Sequence, residues 1–262
     1  MAVEHKAIQA EQETGSLVGF QNILRNELSR WWSTRFWWVQ IFLWIGILNG
    51  MLALIGGVSR VTGEFELGVS DVRQSFGMLG VLASLGVVIS MQNRIIGDRE
   101  KGITEWVLSK PVSRAGYLLG KLFGNAAGLY TVIWLLPAGG VYLLLSKVFL
   151  TEWLQPGSFL LGWGIVGLDM AFYLCLTLML GVFTSNRAVV LAVPLALLFG
   201  QQIMIGLVPE LVHILPYSLS AVNAGAAALS EPLIFPVSII AAAVWCMFFI
   251  ALAVWRFRRE DF

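Results

Sequence analysis

"GDREKGITEWVLSKPVSRAGYLLGK", residues 97–121, concentrates charge in an apolar chain: Asp98, Arg99, Glu100, Lys101, Glu105, Lys110, Arg114 and Lys121 fall within these 25 positions. Apolar runs of membrane-spanning length flank it on both sides, so its reading decides theirs. They are two membrane-crossing helices joined through water, rather than the halves of one soluble core. A simple turn needs few residues. This stretch is long, can form a helix, and mixes its charges with Ile103, Trp106, Val107 and Leu108. That mixture reads as a surface that touches another molecule.

Composition agrees. The 262 residues are 58% hydrophobic and 13% charged, with a mean hydropathy of +0.79. Soluble domains run at about 45–50% apolar and about 25% charged. A formal charge of +1 offers nothing to a nucleic acid. Cys175 and Cys246 lie inside apolar runs, which argues against a disulfide frame and a thiolate metal site. His5 and His213 sit in polar surroundings and suggest no metal chemistry. The first 16 residues, mixed in charge, lack a basic lead into an apolar stretch; they are expected to be a mobile cytoplasmic tail, with the first span an uncleaved anchor.

Six runs can each supply the roughly 20 helical residues that cross about 30 Å of hydrocarbon: 36–58, 75–96, 116–146, 158–183, 188–208 and 235–255. They are continuously apolar, without the alternation of a barrel strand. The third is longer than a span requires, so it should protrude, tilt or break near Pro137. Of the 17 lysines and arginines, only Arg60, Arg73 and Lys147 fall in segments outside when the N-terminus is inside. That bias puts both termini and residues 97–121 in the cytoplasm. The expected fold is therefore an all-α, multi-pass protein of the cell inner (plasma) membrane. Its domain of six transmembrane helices covers 36–262 and includes a cytoplasmic loop at about 97–115. Before it, residues 17–35 place Leu17, Phe20, Leu24, Leu28 and Trp31 at helical spacing, as expected of an amphipathic helix lying in the membrane interface.

Within the charged stretch, Gly102 can end the second helix and Pro111 cannot continue one. Thr104 is expected to cap a short helix running through Ser109, and Ser113 to cap the next. Trp106 and Leu108, exposed beside Glu105 and Lys110, would make a docking knob; the alternative is that they rest on lipid. The runs Glu100-Lys101-Gly102-Ile103-Thr104-Glu105, Leu108-Ser109-Lys110-Pro111-Val112-Ser113-Arg114 and Tyr117-Leu118-Leu119-Gly120-Lys121 resemble the cytoplasmic loop of ABC-2 type permeases. Ile103, between Gly102 and Thr104, departs slightly from that pattern. The resemblance implies a membrane subunit that pairs with a second permease, identical or different. Each would seat its short loop helix on a cytoplasmic ABC ATPase, with Glu100, Lys101, Gly102, Thr104, Glu105, Trp106, Leu108, Lys110, Pro111 and Arg114 as coupling residues. ATP and magnesium would then be bound by that partner. This chain's nearest approach to a phosphate loop, Gly116 through Leu122, has the wrong spacing and lacks the Ser or Thr that holds magnesium. No catalytic residue is expected. Ser185-Asn186-Arg187 is a second candidate contact, or a plain hairpin turn.

Gly116, Gly120, Gly124 and Gly128 recur every four residues, and Gly46 and Gly50 form one such pair; small residues in this spacing let another backbone approach. Asp169 is the acid near the centre of a span. It is read either as a substrate-contacting or gating group, or as a neutral carboxyl bonded to a neighbouring helix. Asn49, Thr177, Gln201 and Gln202 are possible polar partners. The semi-apolar segment at 209–232 could dip into the membrane as a re-entrant piece. Other readings are an intramembrane enzyme or an ion-coupled carrier centred on Asp169, or a structural anchor for an ATPase. An enzyme needs clustered catalytic groups and a carrier several buried charges in repeated halves, neither of which is evident.

Overall fold

The computed structural model describes residues 17–33, 35–63, 68–150 and 152–259; the expected tail at 1–16 lies outside them. The described residues form helices without strands. In chain order these are α1 (Phe20–Trp32), α2 (Phe36–Thr62), α3 (Val69–Met91), α4 (Ile96–Glu100), α5 (Ile103–Leu108), α6 (Arg114–Leu129), α7 (Leu136–Leu144), α8 (Pro156–Phe183), α9 (Arg187–Leu207), α10 (Gly225–Ala228) and α11 (Pro236–Arg258). Six helical stretches among the described residues are long and apolar enough to cross a membrane.

The fourth of these, α8, is the centre. Its most apolar 18-residue window is 78% buried, against 22% for α9 and for α11. α3 and α11 pack along it. Trp163 of α8 and Trp134 of the third span each donate an indole N–H to the other's backbone carbonyl, at 3.0 and 2.8 Å. These bonds satisfy both indoles inside the bundle.

The third span runs unbroken from Arg114 to Phe149. Pro137 cannot donate a hydrogen bond to the carbonyl one turn back, and the helix accommodates this with a π-helical turn at Tyr130–Leu135 instead of breaking. Its 36 residues rise about 54 Å, well beyond about 30 Å of hydrocarbon. Of the three expected outcomes, a break at Pro137 does not occur, and a helix of this length crosses the hydrocarbon only by protruding or tilting.

The glycine stripe lies on the α6 part of this helix and receives α1. Gly116 faces the Val18 carbonyl, Gly120 faces Ile23, Gly124 faces Glu27 and Gly128 faces Trp31, so the two helices run side by side in one direction. The amphipathic helix forms as expected, but part of the apolar line read from the sequence is turned to protein: Trp31 is buried, Phe20, Leu24 and Leu28 are half-buried, and Leu17 is exposed. A Cβ at Gly128 would stand 2.3 Å from the Trp31 ring. Gly128→Leu is therefore expected to lift α1 off α6 and cost about 1–3 kcal/mol. Faster proteolysis around residues 33–35 and a lower melting temperature in detergent would report it.

Part of the semi-apolar segment at 209–232 joins the core. Leu219–Ala228 is a short apolar helix, π-helical at first and closing as α10, wedged between α3 and α8. Small residues on both sides make room for it. Gly77 and Gly80 of α3 face Ala221 and Ser220, and Gly162 of α8 faces Ala224 and Ala228.

Candidate functional site

The charged stretch folds as two short helices joined by a reversal. Gly102 sits at φ +65°, the left-handed region that glycine occupies without strain, between α4 and α5. Ser113 caps α6 as expected, accepting from the Gly116 amide at 2.9 Å. Thr104 is not the cap of α5. The reversal at Gly102 starts the helix two residues earlier than that cap would, at Ile103, and turns Thr104 inward, where its hydroxyl is 3.2 Å from the Tyr117 hydroxyl. Leu108 is not exposed either. With Val107 it is half-buried on the hydrophobic core, because both follow Thr104 on the inner side of α5.

The outward face of α5 thus consists of Ile103, Glu105 and Trp106, with Lys101, Lys110 and Pro111 at its ends. The Trp106 side chain is 61% exposed, and the Lys110 ammonium lies 3.4 Å from its ring centroid. Glu100 turns sideways and pairs with Arg187, joining the stretch to Ser185-Asn186-Arg187, which the sequence offered as a second contact. Asn186 caps α9 there by accepting from the Ala188 amide at 2.9 Å. Arg114 reaches along the same end of the bundle to the Arg258 carbonyl at 2.6 Å. The two candidate contacts are one continuous surface.

Behind that surface lies a charged cluster that reading of the sequence did not assemble. Lys121 of α6 is 1% exposed, Glu27 of α1 is 2% and Asp98 of α4 is 5%. The Lys121 ammonium is 3.0 Å from Glu27 Oε1, is paired with Asp98, and donates to the Arg94 carbonyl at 3.3 Å. Asn125, one turn further along α6, donates to the other Glu27 oxygen at 3.2 Å and accepts from the Trp31 indole at 3.2 Å. Arg30 closes on Glu27 from the exposed side at 3.1 Å. One signal was available: Glu27 interrupts the line Ile23–Glu27–Trp31, just as Lys121 follows Gly120 in the stripe.

Asp169 lies halfway along α8 and is buried. Its Oδ2 accepts from the Ser220 hydroxyl at 2.6 Å, so the mid-span acid holds the wedged segment 219–228. It also borders a cavity of about 600 Å³ whose wall includes Gln74, Met78, Gln201, Gln202 and Tyr217. Thr177 bonds to its own helix, Gln201 to the Leu198 carbonyl, and Asn49 reaches across to the Pro137 carbonyl. Asp169→Asn retains an acceptor for Ser220 and is expected to shift stability by less than about 1 kcal/mol, whereas Asp169→Leu strands that hydroxyl at about 1–3 kcal/mol. Melting temperatures of the two variants, measured side by side, check this. Among the described residues no three His, Cys, Asp or Glu side chains gather as metal ligands.

Comparison with known proteins adds one match. A family model described as ABC-2 family transporter protein matches residues 4–262, almost the whole chain. No curated protein matches it.

Proposed function

Because the chain belongs to the ABC-2 transporter family, a family of membrane components of ABC transporters, we propose that it is the permease half of a transporter in which a separate cytoplasmic ATPase drives export of a substrate or its movement across or within the membrane. The observation that carries the reading is the outward face of α5. An exposed tryptophan, held by a neighbouring lysine and bordered by Glu105 and Lys101, projects from the loop between two spans. An aromatic supplies buried area to an interface and the surrounding charges set its register. In this reading residues 94–114, 184–187 and both termini face the cytoplasm of the inner (plasma) membrane, in line with the distribution of lysine and arginine. ATP and magnesium bind the ATPase, and this chain conducts no chemistry of its own. Two ATPase subunits closing on ATP displace the α5 helices of two paired permeases, and the spans follow as rigid bodies.

The test is purification of the tagged chain from its native membrane under gentle detergent, with mass spectrometry and ATP turnover on what accompanies it. A stoichiometric ABC ATPase, together with magnesium-dependent ATP turnover, is expected. A chain that comes down alone and without ATPase activity would overturn the proposal.

A further inference from the structure

We propose that Lys121 is a positioning residue for coupling: it joins α1, the approach to the coupling helix and the third span into one body that passes on the displacement of α5. This rests on the ATPase-driven reading above.

The geometry of the ammonium is the starting point. Lysine has three N–H donors, and Lys121 has an acceptor for each: Glu27 from α1, Asp98 from α4 and the Arg94 carbonyl from the turn that precedes α4. No donor is left over, and the two carboxylates come from separate elements. Asp98 lies four residues ahead of the Gly102 reversal, so the body that Lys121 grips continues directly into α5. A second path arrives at the same place. Thr104 of α5 meets the Tyr117 hydroxyl at 3.2 Å, and Tyr117 lies one turn before Lys121 on α6, its ring 5.5 Å from the ammonium. Both routes from the outward face of α5 therefore end on neighbouring turns of the third span, at Tyr117 and Lys121.

Stability alone does not account for such a cluster. Taking three charged groups out of water is costly, and apolar residues of similar volume often replace a buried ion pair with no loss of stability or with a gain. What an apolar contact lacks is direction. It tolerates sliding between helices, whereas a saturated ammonium between two carboxylates holds one register. The glycines make that register close: a Cβ at Gly124 would stand 2.5 Å from Glu27 Cβ, so α1 has no space in which to shift against α6.

The deciding variant neutralises all three groups at once, Glu27→Gln with Asp98→Asn and Lys121→Met, so that no member of the triad is left charged and unpaired, while Arg30 and Arg94 keep access to water. It is made in a Cys175→Ala, Cys246→Ala background that carries Gln202→Cys on the cavity wall. The complex with its ATPase is placed in lipid nanodiscs, and maleimide labelling of that cysteine is timed with and without ATP and magnesium. The parent complex is expected to change its labelling rate on ATP. The neutral variant is expected to retain its ATPase, its ATP turnover and its melting temperature but to lose the ATP-driven change. An unchanged ATP response would overturn the assignment. So would a fall in melting temperature or loss of the ATPase, which would place the cluster in folding or assembly. A parent chain that brings down no ATPase would instead overturn the underlying functional reading.

Discussion

Trp106→Ala is expected to weaken the hold of the chain on its ATPase by about thirtyfold, or about 2 kcal/mol, the loss typical of removing a central aromatic from an interface. The side chain has little other work to do. It is 61% exposed and its ring lies under Lys110, so the fold should register the substitution at no more than about 0.5 kcal/mol. Glu105, on the same exposed face, should act mainly through approach: Glu105→Lys is expected to slow association and to make it more sensitive to salt. Glu100 should matter less than its place in the motif implies. It is engaged by Arg187 in an exposed pair, and such pairs contribute about 0–1 kcal/mol. Binding of purified ATPase to the chain in nanodiscs, at two salt concentrations, measures all three. Unaltered affinity in Trp106→Ala would remove α5 as the contact.

Lys121→Met is expected to be the most damaging single substitution to stability, at about 3–5 kcal/mol. The methionine fills nearly the same space, so the loss does not come from a cavity. It comes from Glu27 and Asp98, left facing each other in a site where they are 2% and 5% exposed. Arg30, itself partly solvated, stays 3.1 Å from Glu27 and 3.8 Å from Asp98 and offsets only part of that repulsion. Restoring the melting temperature by adding Glu27→Gln and Asp98→Asn would locate the damage in the stranded charges. A triple variant as unstable as the single one would locate it in the shape of the lysine.

Much of this was legible in the residues. The six crossings follow from run length and composition, because the energy of burying a helix in hydrocarbon is set by its own side chains. The glycine stripe could be read as a close-packing face from its four-residue period. The identity of the helix packed there could not, since any neighbouring helix satisfies a small-residue face. Thr104 was misread for a local reason. A threonine ahead of a helical run is a good cap, but Gly102 made the reversal first and left Thr104 a buried tyrosine to bond.

The contrast is sharpest at Lys121 and Glu27, which lie 94 positions apart. Fold class, the number of crossings and the exposed charged stretch depend on composition and on periodicity within single segments, so the sequence by itself determined them. The pairing of Lys121 with Glu27 and Asp98, the bond from Ser220 to Asp169, and the seat of α1 on α6 each depend on the rotation and axial register of one helix against another. Those two quantities emerge from the packing of all the helices together, and only the tertiary structure decided them.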